Sequence, residues 1–388
     1  MDPLTAPSSA AQTPWPTKTW PVATPAAVGL DPKILAAFDA DLAAGTYGYV
    51  DSMLVIRHGK IACERAYPHD YGVIYAQEAR TPSALNAHDP AGPYNYFNSW
   101  WHPFHRRGEL HTLQSVTKTI TSILIGVASA RREFPSLDTP LLEFFNGAQL
   151  AHVDDRKRRV TLRHLLTMTA GFAWNEDLPF ADPDNAACRM EASFDWVQFA
   201  IDRPMSQEPG QGFQYNSGAA QLLSHVFRAA TGRDIEEYAV QHLFTPLGIR
   251  SHFWKRTPTG LADTEGGLYL EPRDVAKIAY LVLRGGEWEG KPIISAEWVQ
   301  ASLTASAMVS DDGVKYGYLW WLYPYGKYGR VAVGGAGFGG QHMILVPEQD
   351  LVLVFTGWNV LPESQSLSAE AAIDRVLAAV VNGSNLAS

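Results

Sequence analysis

Leu113-Gln114-Ser115-Val116-Thr117-Lys118 opens the stretch whose reading decides the fold. Behind it, Ile120, Ile123, Leu124 and Val127 recur at i, i+3, i+4 and i+7, the buried face of an amphipathic helix. The pattern predicts a helix over 120–131, with Ser115 at or just inside its start. Lys118 follows three residues on, so the two side chains share one face, one turn apart. A hydroxyl beside an amine, in front of a helix N-terminus, is an arrangement that can make a serine a nucleophile.

Helix signals dominate the chain downstream. They cover 162–168, 194–201, 219–231, 235–243 and 273–284, the last ending at the stop Gly285-Gly286. Short apolar runs between turns follow at 317–322, 331–333, 343–346 and 351–355, the pattern of consecutive antiparallel strands. An alanine-rich amphipathic helix over about 366–381 closes the pattern.

Upstream, Asp31-Pro32 caps and opens a helix to about Ala44. Met53-Leu54-Val55-Ile56 and Ile61-Ala62-Cys63 flank a glycine turn and read as a hairpin. Residues 68–109 are irregular but rich in aromatics, among them Tyr94, Tyr96, Phe97, Trp100, Trp101 and Phe104, which need burial and so argue for order. Trp100 and Trp101 fit a substrate pocket and a buried cluster equally well.

The order helix, strands, many helices, strands, helix predicts an α+β fold. An antiparallel β-sheet is flanked by N- and C-terminal helices, and a mainly helical domain is inserted. The expected divisions are an extended Pro-rich arm over 1–28, a sheet domain over 29–118 and 265–388, and a helical domain over 119–264. A length of 388 residues suits two lobes, and a cleft at their boundary is the natural site.

Composition excludes several classes. The net charge of -9 comes from scattered acids, so it points to solubility and not to a partner. The basic run Arg156-Lys157-Arg158-Arg159 reads as a solvated turn, and no nucleic acid is expected. Cys63 and Cys188 read as two unpaired thiols. No stretch is long and apolar enough to span a membrane, and no basic-then-apolar leader opens the chain, so a cytoplasmic location is expected. His102-Pro103-Phe104-His105 lacks a helix to align its imidazoles and a third ligand, and Asp182, Asp184 and Asp195 fit no calcium loop. Neither metal nor cofactor is expected. There is no Gly-x-Ser-x-Gly element, and the glycines near Gly334 precede a strand, where a phosphate loop precedes a helix.

Two further elements give the Ser-x-x-Lys pair its context. Phe213-Gln214-Tyr215-Asn216-Ser217-Gly218 stands ahead of a helix, and Val333-Gly334-Gly335-Ala336-Gly337-Phe338-Gly339-Gly340-Gln341 runs into an apolar strand. In this order the three elements resemble the penicillin-recognising serine hydrolases. That superfamily holds class C β-lactamases, DD-peptidases, esterases and 6-aminohexanoate-dimer hydrolases. Leu165-Leu166-Thr167-Met168-Thr169-Ala170-Gly171, Gly266-Gly267-Leu268-Tyr269 and Pro272-Arg273-Asp274-Val275-Ala276 are similar to further family segments. The resemblance covers about residue 50 to the C-terminus and implies a β-lactamase/transpeptidase-like fold.

Carried over residue by residue, the resemblance implies that Ser115 attacks a carbonyl and is acylated. It implies that Lys118 keeps Ser115 deprotonatable through a lowered pKa. Tyr215 bridges the two and returns a proton to the leaving group, and the backbone N–H groups of Ser115 and Phe338 form an oxyanion hole. Ser217 is expected to hold Lys118 by a hydrogen bond. Trp174, Gly337, Gly339 and Gln341 are expected to bind substrate or support the site. Lys118 and Tyr215 remain alternative first bases.

Two departures steer the substrate expectation. The family's Lys-Thr-Gly is absent, and Gly337-Phe338-Gly339 stands at that place, with His342 beyond the motif. The cation that holds a β-lactam carboxylate is therefore missing. Trp174-Asn175-Glu176-Asp177 is similar to the Tyr-Asn-Glu-Asp run of the nylon-oligomer branch, with a single indole donor in place of the tyrosine. Both departures favour a carboxylesterase on small esters, working as a monomer or homodimer. An amide hydrolase, of the 6-aminohexanoate-oligomer, β-lactamase or D-amino peptidase type, is the first alternative. An idle sensor or scaffold is the second.

Overall fold

The first helix, α1 (Pro32–Ala43), starts as its sequence dictates: the Asp31 carboxylate accepts from the Lys33 and Ile34 N–H groups, and Pro32 fills the first turn. The structure is a computed structural model and describes residues 15–86, 89, 91–179, 182–326, 329–361 and 364–381. After α1 come β1 (Val50–Arg57) and β2 (Lys60–Ala66), paired antiparallel. The chain returns to the same sheet only near its end, with β3 (Ala307–Met308), β4 (Lys315–Tyr316), β5 (Trp321–Tyr325), β6 (Arg330–Gly337), β7 (Gln341–Val346) and β8 (Leu351–Gly357). The order across the sheet is β2-β1-β8-β7-β6-β5-β4-β3, and every pairing is antiparallel. Thus β1 and β8 knit the two ends of the chain together, with Val55 opposite Leu353.

Both faces of the sheet are buried, which is why its strands read as continuous apolar runs. Met53, Val55, Leu353 and Phe355 face α1 and α5 (Ala369–Leu377), packing on Phe38, Leu42, Ile373 and Val376. Leu54, Val333, Leu345 and Val354 face the other way, in one apolar cluster that continues into the helical half of the chain. The helix behind Ser115, α2 (Val116–Ala130), runs through that cluster. Ile120, Ile123, Leu124 and Val127 are all buried, each contributing roughly 2 kcal/mol. Flanking it are α3 (Ser217–Thr231) and α4 (Pro272–Leu283). The chain therefore has the expected α+β, β-lactamase/transpeptidase-like architecture.

Several local expectations are corrected. Run 317–322 is not a strand throughout. Leu319 takes a left-handed φ of 61°, its N–H donates to the Leu166 carbonyl, and its own carbonyl accepts from Thr119. Those bonds tie the segment to the helical lobe and α2, and the strand starts only at Trp321. The closing helix is shorter than expected, beginning after its Ser368 cap. Lys157 is not solvated: it is fully buried, donating to the Ala151 and Ile201 carbonyls. Of the Pro-rich arm, residues 1–14 lie outside the described residues; Trp15 and Trp20 pack edge-on against Tyr280. Cys63 and Cys188 are both buried. Among the described residues no helix is long and apolar enough to cross a membrane.

Candidate active site

The site begins with a backbone contortion. Gln114, just ahead of Ser115, holds φ at +45°, a left-handed value that a side-chain-bearing residue rarely adopts. Ser115 then enters helical geometry at the N-cap position of α2, but its hydroxyl caps nothing. The Oγ is left to face a cleft, at the positive end of the helix.

Lys118 is 1% exposed, so its ammonium must find acceptors. It donates to Ser115 Oγ at 2.8 Å, to the Glu265 carbonyl at 2.8 Å and to Glu265 Oε2 at 3.3 Å. It also lies 5.1 Å from the centroid of the Tyr215 ring. Burial alone would lower the Lys118 pKa, but Tyr215, Glu265 and Glu176 outweigh it and hold the ammonium above its ordinary range. The expected lowering is therefore reversed, because Lys118 is surrounded by acceptors and not by donors.

Tyr215 comes from the loop ahead of α3, where Asn216 caps the helix by accepting from the Ala219 N–H. Its ring stacks on Trp321, centroids 5.6 Å apart. Burial lifts the phenol's pKa, and Glu176 adds to this. The charge of Lys118 and hydrogen bonds to Ser115 and Lys118 pull it partly back, and the balance stays above the usual phenol value.

Ser217 is not bound to Lys118. Its N–H and hydroxyl both donate to the Glu176 carboxylate, at 2.7 and 2.9 Å. The Trp174 indole N–H donates to the same carboxylate. Trp174 is 3% exposed and packs against Gly218, so it braces Glu176. Burial raises the Glu176 pKa against these donors and the nearby Lys118 charge.

The glycine strand fits against the serine turn. A Cβ on Gly337 would fall 2.5 Å from the Leu113 carbonyl oxygen and 3.1 Å from Gln114 Cβ, so only glycine lets β6 approach so closely. Phe338 follows directly, and Gly339 turns the chain at φ 87°. Buried Gln341 donates to the carbonyls of Phe338 and Gly357, so it fastens that turn and is support, not a substrate contact. His342 points to the opposite face of β7 and donates to the Leu367 carbonyl.

Ser115, Tyr215, Glu265, Gly337 and Phe338 line one cavity of about 460 Å³. Trp321 and Tyr96 supply its aromatic walls, while Trp100 is 48% exposed and Trp101 stacks on Phe253 away from it. Sequence reasoning missed Glu265 and the structural part of Glu176. Glu265 immediately precedes the quoted Gly266-Gly267 segment, and Glu176 lies inside the quoted run at Trp174. Neither position carries a periodicity or spacing signal of its own.

Comparison with known proteins agrees with this geometry. The chain is similar to the 6-aminohexanoate-dimer hydrolase of Paenarthrobacter ureafaciens, 24% identical over 266 residues, 63% of this chain and 65% of the relative. It is similar to esterase EstB of Burkholderia gladioli, 30% identical over 154 residues, 37% of this chain and 38% of the relative. The chain spans about half the length of the curated relatives it matches. In fold it is similar to EstCE1, a hydrolase with promiscuous acyltransferase activity, at TM-score 0.64, 15% identity, 90% of this chain and 98% of that one. The Beta-lactamase family model matches residues 49–376. That match takes in Ser115, Lys118, Tyr215 and the glycine strand, and the chain belongs to the Beta-lactamase family.

Proposed function

We propose that the protein is a serine hydrolase working through an acyl-enzyme on small carboxylic esters, with Ser115 as nucleophile. The observation that carries the reading is the buried Lys118 ammonium bound to Ser115 Oγ, beside a cavity that Ser115 and Tyr215 line.

Once the Lys118–Tyr215 pair has lost one proton to solvent, Ser115 Oγ bonds to the substrate carbonyl carbon while its own proton passes to the pair. The two groups share their protons, so the pair acts as one base. The carbonyl oxygen gains charge under the N–H groups of Ser115 and Phe338. The C–O bond to the alcohol then breaks, and the pair returns the proton to the leaving oxygen. Water repeats the sequence on the acyl-enzyme: its oxygen bonds to the acyl carbon, its proton goes to the pair and then to Ser115 Oγ, and the carboxylic acid departs.

Two observations favour an ester over a β-lactam or an amide. No Lys, Arg or His stands among the residues that line the cavity, so its walls offer a β-lactam carboxylate no cation. The Trp174 indole is committed to Glu176 and leaves no donor there for an amide leaving group. Rates on p-nitrophenyl butyrate, nitrocefin and a linear 6-aminohexanoate dimer test the reading. The ester is expected to be cleaved fastest by kcat/KM; faster cleavage of either amide overturns it.

A further inference from the structure

One buried carboxyl group in the cavity has no part in the chemistry above. Glu191 ends the helix Ala186–Glu191, is 4% exposed and lines the same cavity as Ser115. Its Oε1 accepts from the Tyr96 hydroxyl at 2.7 Å. Its Oε2 is buried and has no hydrogen-bond partner among the described residues. A buried acceptor left open costs about 1–3 kcal/mol unless something fills it.

The neighbouring cations are already engaged. Lys118 is bound to Ser115 and Glu265. Lys255 lies 3.7 Å from Asp263, its ammonium over the rings of Tyr94 and Tyr96 at 4.4 and 5.5 Å from their centroids. Glu176 has its oxygens filled by Trp174 and Ser217. Glu191 and Glu265 stand in the lining of one cavity, Glu265 paired with Lys118 and Glu191 with one oxygen open.

We propose that this lining forms a subsite for a cationic amino group, so that the preferred esters carry a primary ammonium held by Glu191 Oε2 with Glu265 as the second counter-charge. The inference rests on the acyl-enzyme reading and narrows its substrate class. Burial, and then the charge of Glu265, push the Glu191 carboxyl group well above the usual carboxylate range. A bound ammonium offsets both penalties by supplying a hydrogen-bond donor and an opposite charge.

The test uses two isosteric pairs, because the cation could sit on either side of the scissile bond. The acyl-side pair is p-nitrophenyl 6-aminohexanoate against p-nitrophenyl heptanoate. The alcohol-side pair is 6-aminohexyl butyrate against heptyl butyrate. In at least one pair the cationic ester is expected to have a kcat/KM higher by about tenfold or more, the size of one charge-assisted hydrogen bond. Glu191→Gln is expected to bring that ratio down to about one. Hexylammonium is expected to inhibit p-nitrophenyl heptanoate hydrolysis by the unaltered protein competitively and at lower concentration than hexanol, a readout that needs no variant. Equal rates within both pairs, a ratio that survives Glu191→Gln, or hexylammonium no better than hexanol overturns the subsite. Heptanoate ester turnover without any cation preference does so while leaving the acyl-enzyme standing; a protein in which Ser115 forms no adduct removes both.

Discussion

Lys118 donates to both the carbonyl and the carboxylate of Glu265, while its remaining bond reaches Ser115 Oγ. Lys118 is thus held as an ammonium by Tyr215, by Glu265 from 147 residues away in the chain, and by Glu176. A charged Lys118 cannot take a proton until the Lys118–Tyr215 pair has lost one, and this fixes how the enzyme should respond to pH and to mutation.

Activity is expected to rise with pH. Both members of the pair are held above their ordinary values, Lys118 by its acidic neighbours against the effect of burial, and Tyr215 by burial. A base with a raised pKa is deprotonated in only a small fraction at neutral pH, and that fraction grows as pH rises. Log kcat/KM for a neutral p-nitrophenyl ester should climb from roughly pH 6 to pH 9, approaching about tenfold per unit where one proton is lost. A profile that is flat from pH 6 upward contradicts this.

Glu265→Gln should move that profile. Removing the carboxylate takes away stabilisation of the ammonium, so the Lys118 pKa falls and the rise begins at lower pH. The shift is expected to be about one unit, within the range for loss of one adjacent opposite charge. Profiles of the two proteins that superimpose after scaling would exclude Glu265 as the group that sets the charge state of Lys118.

Tyr215→Phe keeps the ring stacked on Trp321 but deletes the hydroxyl. The loss should fall on kcat, by about 10²–10⁴-fold, as for removal of a general acid–base group. KM should change little, because the cavity wall is preserved. A loss confined to KM would make Tyr215 a binding residue and not a proton carrier.

Gly337→Ala tests the close approach of β6 to the serine turn. The added methyl meets the Leu113 carbonyl at 2.5 Å, so either the strand or the turn must shift. Overpacking of this kind costs about 1–3 kcal/mol, a drop of a few degrees in melting temperature for a chain of this length. Activity should fall more than stability alone explains, because Phe338 is displaced with the strand. An unchanged melting temperature and unchanged activity would show that the approach is not as tight as described.

Much of this was legible from the chain itself. The helix behind Ser115 declares itself because four apolar residues repeat on one face, and β1, β7 and β8 declare themselves because a sheet buried on both sides must be apolar throughout. Tyr215 and the glycine strand were legible as punctuated motifs. What was not legible depends on contacts between distant segments. Glu265 looks like any acidic residue until α2 brings Lys118 against it, and that contact acts with Tyr215 and Glu176 to set the Lys118 charge state. Ser217 was expected to hold Lys118 and donates to Glu176 instead, since nothing local reveals that Glu176 lies between Ser217 and Trp174. Lys157 looked solvated because its neighbours in sequence are charged, while its burial comes from a carbonyl at Ile201.

The central claim is that Ser115 is the nucleophile. A fluorophosphonate ester, incubated with the protein and with Lys118→Ala, followed by digestion and mass mapping, tests it most directly. The account predicts one adduct per chain, on the peptide that contains Ser115, formed slowly or not at all in Lys118→Ala and absent in Ser115→Ala. An adduct on another residue, or a folded protein that hydrolyses esters while Ser115 stays unmodified, would contradict it.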